Sequence, residues 1–269
     1  MLYLERVSLV YGRGVPGERL ALAEVSLAVG PGEHLGVSGP SGAGKSSLLL
    51  LAAGLYPPTS GRVRRPENTR VGLVLQEPEM ALFAPTVREE LAFAPRALGL
   101  EEAVVEEAIR ASLVRVGLAE DLLDLDPLAL PTAERRLVPI AAVLAGRPDL
   151  LFLDEPTAGL PVRARGRIIT LVRSFPGTVM VASHDLDFLW RTCPRLVVLA
   201  RGSLVADGRW REFIYRPEPL TEAGLVLPPV PAVLAGLIRR GWEIEEVGQD
   251  EETVARQILH GGPRRGGAG

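Results

Sequence analysis

The chain has a single cysteine, Cys193, so no disulfide framework braces it, and its place before Pro194 beside an apolar run marks an unreactive core thiol. A long apolar run is also missing. The most apolar stretches are broken by Arg147 and Asp149 or by Gly and Pro, short of the ~20 apolar residues of a spanning helix. Charge imbalance is absent too: 30 Lys and Arg stand against 33 Asp and Glu, a formal net charge of −3, which argues against a strongly basic nucleic-acid binder. Arg62, Arg64 and Arg65 read as solvated residues. The opening MLYLERVSLV has early charge and strand-like alternation where a signal peptide has a basic start and an apolar run, so a cytosolic location is expected. No internal repeat is visible. With 47% apolar residues the composition is not that of a disordered chain, and 269 residues suffice for one large domain with an appendage.

What is present is concentrated in residues 39–47, GPSGAGKSS, where Gly39, Gly44, Lys45 and Ser46 fit the phosphate-loop pattern G-x-x-x-x-G-K-[ST]. The pattern has a physical basis. Glycines let successive backbone N–H groups turn inward around phosphate oxygens, Lys45 spans the β- and γ-phosphates, and the Ser46 hydroxyl ligates Mg²⁺. Gly39, Pro40, Ser41, Gly42, Ala43, Gly44, Lys45, Ser46 and Ser47 are therefore expected to bind a nucleoside triphosphate. An apolar strand, roughly His34 to Ser38, leads into the loop. A helix from Ser46 to Ala53 leaves it with its positive dipole end toward the phosphates.

Residues 2–10 and 19–29 alternate like strands of a partly exposed sheet, whereas 150–153, 178–182 and 196–200 are short continuous apolar runs suited to a buried parallel sheet. Helical patterns at 134–146 and 162–174 separate them. This is the β-then-α alternation of a doubly wound α/β core. Between about 77 and 140 the strands stop and VREELAFAPRAL and EEAVVEEAIRASLVRVGL have helical spacing with acidic first turns, which predicts an inserted helical subdomain. The expected division is a nucleotide-binding domain over 1–217, a small helical appendage over 218–260 and a flexible tail over 261–269. Within the appendage, Val230 to Arg240 and Asp250 to Leu259 have helical patterns.

The order of these motifs resembles an ABC-type ATPase subunit, a P-loop NTPase with an N-terminal antiparallel β part: Gln76 follows a predicted strand, LLFLDEP carries Asp154 and Glu155, and His184 follows the strand TVMVA. The segment QEPEMALFAPTVREELAFAPRALGL and the tail, with DGRWREFI and LPPVPAVLAGLIRRGW, are similar to the energy-coupling factor (cobalt or vitamin type) transporter ATPases. The resemblance implies an ATPase coupled to transport, with ATP and Mg²⁺ bound. Glu155, His184 and Gln76 are implied as catalytic, Ser46, Gln76 and Asp154 as Mg²⁺ ligands, and Tyr11 as the aromatic that stacks on adenine. Each role suits its residue: a carboxylate closing a buried strand holds Mg²⁺, and a second one beside it polarises the attacking water. Implied partners are a second ABC ATPase subunit, an integral membrane coupling subunit docked near Gln76 to Pro85 on Leu82, Phe83 and Ala84, and a membrane subunit that captures a vitamin or metal ion. Nucleic acid is not among them. The implied place is the cytoplasmic face of the cell membrane.

One segment departs from the family pattern. Where the signature LSGGQ or LSGGE that closes over a partner's nucleotide is expected, the chain reads LPTAE, and Leu130, Glu134, Pro148 and Asp154 keep their spacing. Pro131 lacks the serine's hydroxyl and N–H, and Thr132 and Ala133 carry Cβ atoms where glycines allow close approach. Pro161 stands where an interface aspartate is usual. Thr132 offers a substitute hydroxyl, and the helix expected near Glu134 keeps its dipole. What the chain offers to its own nucleotide matches the family, and what it offers to a partner's does not. An asymmetric heterodimer is the expectation, against a homodimer with two impaired sites. The alternative in another class is a soluble ATP-dependent regulatory or binding module with little hydrolysis.

Overall fold

The computed structural model describes residues 1–242, 244 and 251–260. The alternating N-terminal segments build a small antiparallel sheet in which β1 (Leu2–Tyr11) lies between β2 (Arg19–Val29) and β4 (Ser60–Arg64). Leu2, Leu4, Val7 and Leu9 face the core. The step from Leu4 to Val7 breaks the period of two because the register shifts there, with Arg6 in left-handed backbone at φ 45°.

The apolar runs form the larger sheet. Its order is β5 (Val71–Val74), β6 (Leu150–Asp154), β7 (Thr178–Ala182), β3 (His34–Ser38), β8 (Arg195–Ala200) and β9 (Ser203–Arg209), all parallel except the β9 edge. Both faces are covered, which is why these strands read as continuous rather than alternating. Leu35, Val37, Phe152, Met180, Val197 and Leu199 face the small sheet and α1 (Lys45–Ala53). Their neighbours Leu151, Leu153, Val179, Val181, Leu196 and Val198 face the other core, built with α4 (Thr132–Ala145), α5 (Val162–Ser174) and α6 (Leu186–Thr192). The helix after β3 thus covers one face, while the helices after β6 and β7 cover the other. Ligand crevices form where such connections diverge.

Between β5 and β6 the described chain is helical, with α2 (Val87–Ala97), α3 (Glu102–Val116) and α4 packed together over Val87, Leu91, Ile109, Leu113 and Leu137. Thr86 caps α2 by accepting the Glu89 N–H at 3.2 Å. After β9 come α7 (Trp210–Tyr215), α8 (Glu218–Glu222), α9 (Pro229–Arg239) and α10 (Glu251–His260). Leu220, Leu234, Ala235 and Val254 join the same core as Trp190 and Trp210, so the C-terminal helices lean on the main body. The expected tail 261–269, and Asp250 at the head of the last helical pattern, lie outside the described residues.

Two edge strands, β4 and β9, were not expected from the sequence, because neither buries a residue fully and so both leave little apolar signal. Arg62, Arg64 and Arg65 are exposed as read from the sequence; Arg64 pairs with Glu5 at the surface at 3.1 Å, and Arg65 Nη1 donates to the Ala53 carbonyl at 2.7 Å, closing the end of α1.

Cys193 is fully buried, and the Trp210 indole N–H donates to its carbonyl at 2.7 Å. Burial pushes its thiol up to about 12 from 9.0, with a weaker opposing effect from Thr192. Native protein at pH 8 is therefore expected to resist a thiol reagent that labels the denatured chain fully, and equal labelling rates would contradict this burial. The sign for stability follows. Between about pH 9 and 12 the unfolded thiol ionises and the folded one does not, so this residue's contribution is lost as pH rises through that window.

Candidate functional site

The C-terminal ends of three adjacent strands, β6, β7 and β3, carry the phosphate loop, Asp154, Glu155 and His184. From β3 the chain turns at Gly39, whose φ of 146° and close approach to Leu199 O (a Cβ would lie 2.1 Å away) admit only glycine. Gly44 is similarly confined: φ is 104° and a Cβ would sit 2.5 Å from Ala21 O. The Ala43 carbonyl accepts the Gly202 N–H at 3.0 Å, so the loop's outer wall is held by neighbouring backbone. Pro40, Ser41 and Gly42 are exposed on its open side. Lys45 Nζ donates to the Gly39 carbonyl at 2.8 Å and the Pro40 carbonyl at 3.1 Å, which lays the ammonium across the loop. No acidic residue occupies the first turn of α1, leaving its N–H groups for an external anion.

Asp154 ends β6 and is 3% exposed. Burial holds its carboxyl above the usual carboxylate range. A hydrogen bond with the Ser46 side chain opposes that shift, the neighbouring Glu155 charge adds to it, and Lys45 opposes it. Ser46 and Asp154 thus stand side by side. Among the described residues no group of three or more His, Cys, Asp or Glu could hold a metal ion. The pair suits Mg²⁺ that is carried mainly by substrate phosphates, which needs one or two protein oxygens and not a cage.

Glu155 has left-handed backbone at φ 48°, a strained conformation for a residue with a side chain. Several bonds over-determine it. Its N–H donates to the Ala182 carbonyl at 2.8 Å, Oε2 accepts from the Ser183 hydroxyl at 2.9 Å, and Oε1 accepts from the His184 N–H at 2.8 Å. His184 Nδ1 is 2.8 Å from the same oxygen and donates to it in the Nδ1–H tautomer. The His184 side chain is otherwise 73% exposed, while the Glu155 side chain is 10% exposed. Ser183, fully buried, also accepts the Asp185 N–H at 3.1 Å. Sequence reasoning passed over this serine although it precedes His184 directly.

Tyr11 closes β1 beside the loop, with its hydroxyl 3.2 Å from Ser47 Oγ and its ring edge-on to Tyr56 at 5.6 Å. Gln76 is exposed two residues beyond the end of β5, the strand paired with the one that ends in Asp154. Leu82 packs against the helical core, whereas Phe83 is 65% exposed and edge-on to Phe93 at 5.0 Å. The α4 helix begins at Thr132, two residues before the expected start, with Pro131 as an uncapped N-cap. Pro161 has the same place on α5. A separate cavity of about 810 Å³, lined in part by Arg70, Arg115, Arg147 and Phe175, lies at the opposite, N-terminal edge of the strands.

The family model described as ABC transporter matches residues 22–158. A protein of Symbiobacterium thermophilum named energy-coupling factor transporter ATP-binding protein EcfA2 is 38% identical, covering 97% of each chain. An energy-coupling factor transporter ATP-binding protein EcfA of Methanothermobacter thermautotrophicus is also 38% identical, over 97% of this chain and 87% of its own. Among solved structures, cbiO1 from Clostridium perfringens, described as part of the ABC transporter complex cbiONQ, superposes with a TM-score of 0.70. It is 27% identical over 87% of this chain and 98% of its own.

Proposed function

Because the chain belongs to the ABC transporter family of ATPases, we propose that it is the ATP-hydrolysing motor subunit of an energy-coupling factor importer. The observation that carries the reading is the convergence of Lys45, Ser46, Asp154, Glu155 and His184 on one edge of the sheet, alongside full-length similarity to proteins so named. In this reading the loop 39–47 and the N-terminus of α1 bind the triphosphate, and Lys45 exchanges its own loop carbonyls for the β- and γ-phosphates. Mg²⁺ held by Ser46 and Asp154 neutralises phosphate charge when bound. Glu155 orients the attacking water and accepts its proton, kept in place by Ser183 and His184. The exposed face of His184 and Gln76 reach toward the terminal phosphate and the water, and Tyr11 lies against the base.

Among the described residues no helix is long and apolar enough to cross a membrane. As in the transporter ATPases it resembles, the motor would work from the cytoplasmic face against an integral membrane coupling subunit, seated on the exposed Met80 and Phe83 of the segment after Gln76. A further membrane subunit captures the solute. We assign 1–217 to the nucleotide-binding domain and 218–260 to the appendage. A soluble regulatory module has only the altered LPTAE segment in its favour.

That segment supports an asymmetric heterodimer with a second ATPase subunit. Pro131 is exposed at the head of α4, with no side-chain cap and no N–H to offer an anion. Purified alone, the chain is expected to hydrolyse ATP poorly, and a subunit with an intact signature should raise the rate. Within that pair, loss of Glu155 should abolish most turnover and loss of the partner's corresponding glutamate much less. Restoring Ser, Gly and Gly at 131–133 should narrow the gap. Equal losses from either glutamate, with no gain on restoration, would make the two sites equivalent. Subunits co-purifying in mild detergent test the membrane assignment directly.

A further inference from the structure

Arg136 joins three segments that are far apart in sequence. It lies on the first turns of α4. Its Nε–H donates to Glu79 Oε1 at 2.8 Å, and its Nη1 donates to the Ala158 carbonyl at 2.5 Å. Both members of the ion pair are largely buried, with side chains 21% and 15% exposed. Glu79 belongs to a short 3₁₀ turn, Pro78–Ala81, entered through Glu77 in left-handed backbone at φ 56°. Its other end is fixed by the buried Glu90, which accepts the N–H groups of Phe83 and Ala84 at 3.1 and 2.9 Å. Between those two anchors the turn presents Met80, 81% exposed.

On the other side, Ala158 sits in the turn that follows Glu155, and its N–H donates to the Glu155 carbonyl at 3.1 Å. The peptide group that Arg136 grips is next to the one that closes on Glu155. Gly159 makes the grip possible. Its φ is 66°, and a Cβ there would lie 2.1 Å from Arg136 Nη1. The second oxygen of Glu79 is buried without a hydrogen-bond partner, so this carboxylate bears a desolvation cost on one oxygen while Arg136 alone answers the other. A pair that is incompletely satisfied is a poor way to gain stability. It is a stiff way to hold three backbone segments in register, because a guanidinium is planar and its donors are fixed relative to one another.

We propose that Arg136 is a positioning residue that ties the strained backbone at Glu155 to the segment 77–84, so that pressure on Met80 and Phe83 is transmitted to the hydrolytic site. The transmission runs in one chain: Glu79 moves, Arg136 follows, and the Ala158 turn that holds the Glu155 carbonyl shifts with it. The reaction geometry is sensitive to such shifts, since a misplacement of about 1 Å can cost ~100-fold in rate. The use of this device in transport rests on the motor reading above. The mechanical link does not.

The test is hydrogen–deuterium exchange on the purified full chain, without nucleotide, at the amides of Met80, Leu82, Ala158 and Leu160, all of which donate within these two turns. Glu79→Gln touches nothing in the turn after Glu155, yet it should raise exchange at Ala158 and Leu160 at least ~5-fold, with amides of 39–47 changing less than ~2-fold. Gly159→Ala, which displaces Arg136 from the other side, should loosen Met80 and Leu82 in return. Unchanged Ala158 and Leu160 in Glu79→Gln would overturn the proposal, as would loosening confined to the mutated turn in both variants. In the assembled membrane complex, Arg136→Leu should lower kcat about 10-fold with KM for ATP within ~2-fold, and Arg136→Lys should recover part of the loss. If the wild-type chain yields no membrane complex, the motor reading fails while the exchange result still decides the link.

Discussion

Glu155→Gln is expected to bind ATP normally and to lose at least ~100-fold in turnover within the assembled complex, the order seen when a positioned general base is removed. The substitution keeps the side chain's volume. Gln still offers a carbonyl oxygen to the His184 N–H, and the Ser183 hydroxyl can rotate to accept from the new amide, so the strained backbone at φ 48° retains its supports. What it loses is the ability to take a proton from water. Binding by calorimetry and phosphate release on the same preparation separate the two effects. Wild-type turnover would reduce Glu155 to a structural carboxylate bracing the β7 end, and loss of binding as well as turnover would show that the loop had collapsed.

Lys45→Ala is expected to weaken MgATP binding by ~10- to 150-fold, because a charge-assisted hydrogen bond to phosphate is worth about 1.5–3 kcal/mol and no other lysine is available. Lys45 is the only lysine in the sequence. An amine-directed reagent therefore has one side-chain target besides the chain's first amino group, and MgATP should protect it. The fold should tolerate the change, since the lysine is only half-buried and alanine is a good helix former at the head of α1. Equal affinities for wild type and variant, or labelling unaffected by MgATP, would remove the phosphate-loop assignment.

The elements nearest these residues were also the most legible. β3, β6 and β7 are apolar runs bounded by turn residues, and the structure places them at 34–38, 150–154 and 178–182, close to the expected spans. α5 occupies 162–174 as its periodicity predicts, and α1 begins one residue earlier than expected. Two kinds of feature were not legible. Edge strands such as β9 bury little, so their pattern is faint, and the start of α4 at Thr132 was masked by Pro131, whose fixed φ suits the residue before a first turn as well as a break. The partners of Arg136 were invisible for another reason: Glu79 lies 57 residues away and Ala158 22, and no local period links them.

By itself the sequence determined which strands are buried, where the phosphate loop turns and which side chains follow each strand, because burial and glycine geometry act over a few neighbouring residues. Tertiary structure alone decided the strand order β6, β7, β3, and with it that Asp154 faces Ser46 and that Glu155 is gripped by Ser183 and His184 from the next strand. It also decided that the signature helix, the turn behind Glu155 and the segment after Gln76 share one guanidinium. The reason is physical. Side-chain hydrogen bonds reach about 3 Å in space with no regard for separation along the chain, so they are set only once the hydrophobic cores have fixed which segments lie together.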